Sequence, residues 1–452
     1  MVLDLNLFRI EKGGDPDRIR VSMADRFKDT SLVDEVVKLD REWKTCRHDI
    51  DNLNNTKNNI AKKYRNIKSN NIHTSVEFKD LTQDLNKQSV SVTNQLEPMV
   101  KKLKHLETHR NDTLRKIGNI LHPDVPIFNS EDDNSIIRTD SDTGLRKKYS
   151  HIDLIHMIGG INFKKGSVVA GSGCYFLTGP GVWLQQALVG YALQFAAEKG
   201  YEPVYTPFWM TRSCMAEVVQ LSQFDEDLYE LGDLSKKIDD PKYLISTPEQ
   251  PLTALHTKES FNSKQLPVRH VAISTCFQRK RGPHCGDTDC AFCVRQFEKV
   301  EQFVLTSPEE SWKAFHEMVG TSESFYKSLG IPFRIVSVVS GKLDNATSME
   351  YDLEGWFPGS ESFLKLVAVS NYTDYLSRNL LIRYRKKEPG GPEFVHMVKG
   401  TLCTVIRAVC AILEVYQVED GIRVPEVLSR FMPLPYHNFI PFVNKPPGPR
   451  HS

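Results

Sequence analysis

Three shortages bound this 452-residue chain before any motif is read. It has no apolar run approaching the ~18 residues of a membrane-spanning helix, so helical membrane proteins are set aside. It has no excess of either charge: 58 Lys and Arg stand against 57 Asp and Glu, a formal charge of +1. Any nucleic-acid surface must therefore come from local clustering, because the whole chain offers a polyanion little net attraction. Cysteine is sparse and odd in number, nine in all. With Asp4, Glu11 and Asp15 near the start arguing against a signal or transit peptide, reduced thiols and a cytoplasmic location are the expectation. What remains is 40% hydrophobic and 25% charged, the composition of an ordinary globular protein of two or three domains.

The first third has its own texture. Val36, Leu39, Trp43, Cys46, Ile50, Leu53, Lys57, Ile60, Tyr64 and Ile67 step by three and four, with Lys57 the one polar member. A second run follows through Phe78, Leu81, Leu85, Val92, Met99, Leu103, Leu106, Arg110, Thr113 and Ile117. The 3.5-residue period predicts two helices zipped as an antiparallel coiled-coil arm, each ~35 to 40 residues and ~50 to 60 Å long. Pro98 falls inside the second helix and predicts a bend. Lys57, Lys62, Lys63, Arg65 and Lys68 crowd the tip, and Lys101, Lys102, Lys104, Arg110, Arg115 and Lys116 line the base. Such faces are either solvated or free for a phosphate backbone.

Asn119 to about Ser172 reads as a connector leading to a docking helix at KKYSHIDLIHMIGGINF. Val182–Lys199 then has helical spacing and runs into GYEPVYTPFW with Pro207. Near the end, Leu402, Ile406, Val409 and Leu413 fall on one helical face, and PFVNKPPGPRHS reads as a disordered tail.

The segment CFQRKRGPHCGDTDCAFCVRQFEKVEQF, Cys276–Phe303, resembles motif 2 of the class II aminoacyl-tRNA synthetases in the form written by seryl-tRNA synthetases. The resemblance runs from MVLDLNLFR through LDREW, GNILHPDVP, QLSQFDEDLY, STPEQP, FYKSLGIPFRIVSVVSG and YDLEGWFPGS to VEDGIRVPEVL. It is similar to the eukaryotic cytosolic type. The resemblance implies an α+β protein with an N-terminal antiparallel coiled-coil hairpin and a class II antiparallel β-sheet domain flanked by helices. The implied domains are 1–120, tRNA-binding in type, with the arm at about 31–118; 121–172, linker and docking helix; 173–440, catalytic-like; and 441–452, tail. It also implies that Val182–Lys199 with GYEPVYTPFW is motif 1 and builds a dimer, that tRNA is gripped by Lys57, Lys62, Lys63, Lys101, Lys102 and Lys104, and that ATP, magnesium and serine are used.

Carried over residue by residue, Thr247, Glu249, Glu301 and Thr401 match the family's serine-binding positions, and Phe297 and Arg407 match ATP-binding ones. Others depart. Gln278 stands where the family has the arginine that bridges the substrate carboxylate and α-phosphate, and Lys280 where a glutamate reads adenine. Gly286, Asp289 and Cys293 replace arginines, and Arg295 stands where the family has a histidine. Arg279 and Arg281 are adjacent to the lost arginine, but strand alternation turns them to the other face. In KLVAVSN, Lys365 and Ala368 replace the glutamate and serine that hold magnesium, and Lys399 replaces an asparagine. An ammonium cannot ligate a divalent cation, and alanine offers no oxygen. Losing one donor to a transition-state charge costs roughly 2.7 to 4 kcal/mol, so several losses predict a rate deficit above about 10⁴. Lys280 and Lys365 could instead meet phosphate directly, without metal.

His284, Cys285, Cys290 and Cys293 form one further constellation, with spacing suited to zinc or an iron–sulfur cluster; free thiols on a loop are the alternative. The expectation is a seryl-tRNA synthetase-like protein, impaired or non-catalytic, that binds tRNA or a partner synthetase. A working serine–tRNA ligase with an unusual site and a metal-loop or redox-responsive scaffold are the alternatives.

Overall fold

A computed structural model of the chain describes residues 2–69, 76–140, 144–220, 227–232, 240–279, 294–386 and 391–447. They form two compact units, Val2–Gly118 and Asn119–Ser452.

In the first unit, two 39-residue helices, Ser31–Ser69 and Val76–Leu114, pack antiparallel. The direction is fixed by cross-contacts: the Cys46 thiol donates to the Met99 carbonyl at 3.6 Å and Arg110 reaches Asp40 at 3.0 Å. Leu39, Cys46, Ile50, Ile60, Leu85, Val92 and Leu106 are buried in the seam as the period predicts. Leu96, absent from that pattern, is buried too, while Leu81 is 53% exposed. The second helix runs unbroken through Pro98. Arg110, expected on the basic outer face, is 6% exposed and lies over the Trp43 ring. Its charge is used inside the arm, against Asp40, so it is not part of an RNA-facing surface.

The second unit is built on an eight-stranded sheet. In chain order its strands are β1 (Ser135–Thr139), β2 (Glu202–Tyr205), β3 (Val268–Phe277), β4 (Gln296–Thr306), β5 (Phe333–Ser337), β6 (Met349–Phe357), β7 (Ser362–Thr373) and β8 (His396–Thr404). Spatially they run β1-β5-β6-β7-β8-β4-β3-β2. All neighbours are antiparallel except β2 beside β3. β4 and β8 sit centrally, and most of their residues are buried, as central strands covered on both faces must be. The helix Ser311–Ser328 packs on β8 and β7 with Phe315, Met318 and Val319 in the core. A Cβ at Gly400 would lie 2.7 Å from Met318 Sδ, so glycine lets that helix approach. Lys399 and Thr401, on either side of Gly400, therefore point to the opposite face of the sheet.

Three expected boundaries move. The connector 121–172 contributes the edge strand β1 as well as the helix His151–Met157. Leu402 belongs to β8, and the last long helix begins after it, at Val405–Tyr416. The tail expected to be disordered from 441 is held through residue 444: Phe439–Pro441 pairs with Gly421–Arg423, and Val443 and Asn444 donate to the Met157 carbonyl.

Candidate active site

Two β-bulges shape the site. Across β4 and β8 the register jumps between Val300 and Glu301, leaving Leu402 without a partner and setting Glu301 opposite Thr401. Across β6 and β7 it jumps between Leu353 and Glu354, leaving Leu366 unpaired. Alternation resets at such a point. Lys365 thereby shares a face with Ala368 and Ser370, which lie opposite Asp352 and Glu350.

The four retained serine-type positions meet in space. Thr247 and Glu249 come from the turn that opens the helix Glu249–Leu255, whose first-turn backbone N–H at Glu249 donates to Thr247 Oγ1 at 3.4 Å. Thr247 Oγ1 donates to Glu301 Oε1 at 3.3 Å and Thr401 Oγ1 to the same oxygen at 3.0 Å. Lys299 pairs with Glu301 as well. Glu301 is 2% exposed, and its other oxygen, Oε2, has no partner among the described residues. Both oxygens of Glu249 are taken: Oε2 by Lys399 Nζ at 2.7 Å and Oε1 by the Tyr372 hydroxyl at 2.7 Å. Burial opposes the charge on Lys399, but Glu249, then Asp344 and Glu350, outweigh it and raise its pKa. A cavity of about 190 Å³ lies here, lined by Thr247, Glu249, Asp344, Tyr372 and Lys399 among others.

The metal position that the resemblance implies is filled from within. Lys365 Nζ lies 2.7 Å from Asp352 Oδ2 and 3.1 Å from Glu350 Oε1. Ser370 Oγ donates to the other oxygen of Glu350. Burial opposes ionisation of Glu350, yet Lys365 and Lys399 prevail and hold its carboxyl down at about 2. Burial and the Glu350 charge push the pKa of Asp352 upward, and the adjoining Lys365 ammonium pulls the other way. The ammonium occupies the space between two carboxylates, and Ala368 supplies no oxygen. The donor set does not fit magnesium as the resemblance places it. The charge of Lys365, expected as a metal-free phosphate ligand, is met from within by Glu350 and Asp352. Glu350 and Asp352 were missed in the sequence, although the alternating acids of MEYDLE mark one face of a strand.

Of the ATP-type positions, Phe297 is 8% exposed and belongs to the main core; it lines a separate cavity of about 300 Å³ with Tyr175 and Glu298. Arg407, in the first turn of the helix Val405–Tyr416, donates to the Lys365 carbonyl at 3.0 Å. β3 ends at Phe277, so Gln278 and Arg279 lie past the strand and alternation no longer dictates their facing. Arg295 binds the carbonyls of Ser172 at 2.6 Å and Arg279 at 2.8 Å, and the Tyr229 hydroxyl at 2.9 Å. Lys280, Gly286, Asp289 and the proposed metal ligands His284, Cys285, Cys290 and Cys293 lie outside the described residues. Among the described residues, no His, Cys, Asp and Glu group of metal-binding form occurs. On the arm, Lys62, Lys63, Lys101, Lys102 and Lys104 are exposed, and Lys57 is half-buried.

Comparison with known proteins places this geometry. The family model "Seryl-tRNA synthetase N-terminal domain" matches residues 2–121, and "tRNA synthetase class II core domain (G, H, P, S and T)" matches 231–416. The chain is 48% identical over 475 residues to the cytoplasmic serine–tRNA ligase of Mus musculus, covering 99% of this chain and 93% of that one. Its structure resembles the cytoplasmic serine–tRNA ligase of Naegleria fowleri in complex with AMP, with TM-score 0.85 and 40% identity, over 98% of this chain and 100% of that one. It also resembles the seryl-tRNA synthetase of Pyrococcus horikoshii complexed with ATP, with TM-score 0.86 and 31% identity, over 98% and 100%.

Proposed function

The chain belongs to the seryl-tRNA synthetase family of class II aminoacyl-tRNA synthetases, and from that membership we propose that it is a tRNA-binding cytoplasmic member whose capacity to activate serine is impaired or lost. One observation carries this reading: the Lys365 ammonium lies between Glu350 and Asp352, at 3.1 and 2.7 Å, where the family reaction calls for a divalent cation. A tethered ammonium neutralises the carboxylates but cannot bridge them to a triphosphate. Gln278 compounds the deficit, because an amide carries no charge to offset the one that develops on the α-phosphate.

RNA binding is supported by the arm. Five exposed lysines and Lys57 lie on two antiparallel 39-residue helices, each about 58 Å long at 1.5 Å per residue. Such a face meets phosphates along a stem by shape and charge, not by sequence. A partner copy, either this chain or an active synthetase, is supported by large apolar side chains left exposed on the motif 1 segment: Trp183 at 44%, Tyr205 at 70% and Trp209 at 48%.

Serine-dependent ATP–pyrophosphate exchange by the purified chain tests the reading. The expected rate is lower than that of an active relative by more than about 10⁴. A rate within about tenfold of the relative's overturns it. The second reading, a working serine–tRNA ligase, is favoured by the 48% identity to the mouse ligase and by the intact Thr247–Glu301–Thr401 cluster.

A further inference from the structure

We infer that His256 and His270 form a latch that pins the end of the helix Glu249–Leu255 to the sheet, and that the latch opens when both rings are protonated. It lies outside the cavity and the lysine–carboxylate cluster described above, and it holds whether or not the chain activates serine.

The two rings come from different elements. His256 is the residue that ends the helix carrying Glu249, and His270 is in β3. Their Nε2 atoms are 3.0 Å apart, much nearer than the ring centroids at 5.3 Å, so the rings meet edge to edge. A carboxylate stands on the far side of each. Glu259 Oε2 lies 2.6 Å from His256 Nδ1, and Glu202 Oε2, on β2 opposite His270, lies 3.6 Å from His270 Nδ1. Phe261, edge-on to His256, and Phe303, opposite His270 on β4, bring no charge. His270 is 6% exposed, so little water reaches it.

The hydrogens available to the pair limit its charge. A carboxylate only accepts, so His256 Nδ1 carries a hydrogen toward Glu259, and in the neutral ring its Nε2 is an acceptor. His270 Nε2–H then donates to it. This leaves His270 Nδ1 a bare acceptor facing a carboxylate, in line with its having no hydrogen-bond partner among the described residues. One further proton fits, because it places a hydrogen on His270 Nδ1 toward Glu202 while a single hydrogen stays between the Nε2 atoms. A second does not: both Nε2 atoms, 3.0 Å apart, would carry hydrogens, and two like charges would meet where burial already disfavours one. Burial, then the His256 ring, lower the pKa of His270 against the pull of Glu202. With the folded value below the unfolded one, the latch is intact above an unfolded pKa of about 6.5 and is lost as pH falls through the folded value.

Hydrogen exchange of the full chain tests the inference, followed by mass spectrometry from about pH 7.5 to about pH 5 and divided by the intrinsic rate at each pH. In wild type, protection of the helix Glu249–Leu255 should fall at least about tenfold across this range, while that of β8 stays within about twofold. In H270F, which removes the titrating pair, protection of the helix should not change with pH. If H270F does not fold, E202Q, changed at an exposed carboxylate, should move the midpoint of the fall to lower pH by at least about half a unit, because the attraction that favours the proton is gone. Wild-type protection of the helix constant within about twofold, a fall shared equally by β8, a fall that persists in H270F, or an unmoved midpoint in E202Q overturns the inference.

Discussion

Lys365 and Asp352 face each other across β6 and β7 at 2.7 Å, although their strand positions are not directly paired: Asp352 lies opposite Ala368, and Lys365 opposite Glu354. The bulge at Leu366 makes the meeting possible, and the charge placed there decides what the site can hold.

Replacing that lysine should expose the cation site. In K365E three carboxylates would crowd one face, so the variant should be destabilised in chelator and gain a magnesium-dependent rise in Tm of roughly 2 to 4 °C at ten times its Kd. Wild type should have no such shift. Equal magnesium stabilisation of both proteins would count against Lys365 as the occupant.

The arm lysines should act through phosphate charge. Reversing Lys101, Lys102 and Lys104 together should weaken binding of a serine-type tRNA and flatten the slope of log affinity against log salt by about 2 to 3. Lys101 already pairs with Glu97 at 3.0 Å, so its share should be the smallest. Unchanged affinity and slope in filter binding would reject this face as the RNA surface.

Asp40 is the charge centre of the arm. It is 3% exposed and receives Arg9 through two bonds of 2.8 Å, Arg110 at 3.0 Å and Lys44 at 3.1 Å. Burial opposes its ionisation, but Arg9 and Lys44 prevail and hold its pKa below the usual value. A depressed acid stabilises the fold above its unfolded pKa of about 3.9, and the contribution disappears as pH falls through the folded value. D40N should cost about 3 kcal/mol at pH 7 by urea unfolding of the arm unit. The gap from wild type should narrow as pH falls below the unfolded value and close once the folded carboxyl is protonated as well. A gap constant with pH would contradict this assignment.

Glu414 plays a comparable part in the synthetase-like unit. With 0% exposure it accepts from the His151 backbone at 2.8 Å, the His151 ring at 2.7 Å, Gly359 at 2.7 Å and Ser360 Oγ at 2.7 Å. E414Q should lower stability by roughly 2 to 4 kcal/mol, because the amide turns a donor toward donors. Thermal unfolding that matches wild type would refute it.

Much was legible in the chain because it was local. The arm seam followed from apolar spacing, and the strand and helix segments around Thr247, Glu301 and Thr401 followed from motifs whose residues lie close in sequence. Leu81 marks the limit, since a heptad count continued through the arm turns it inward although it is 53% exposed, whereas Leu96, four residues after Val92, is buried as such a count requires. Arg110 falls on the seam by spacing and on the basic face by charge, and the facing helix, with Asp40 and Trp43, decides for the seam.

The sequence by itself determined the family, the two-helix arm and the chemical identity of each departure, because side-chain types and short-range periods are properties of the chain. Tertiary structure decided what those departures do. Lys365 is a bare substitution until the bulge at Leu366 brings Glu350 and Asp352 to its ammonium group, and Lys399 until the helix Glu249–Leu255 sets Glu249 beside it. A bulge shifts facing by one residue without a reliable mark in composition, and partners 13 to 150 positions apart meet only when the sheet closes.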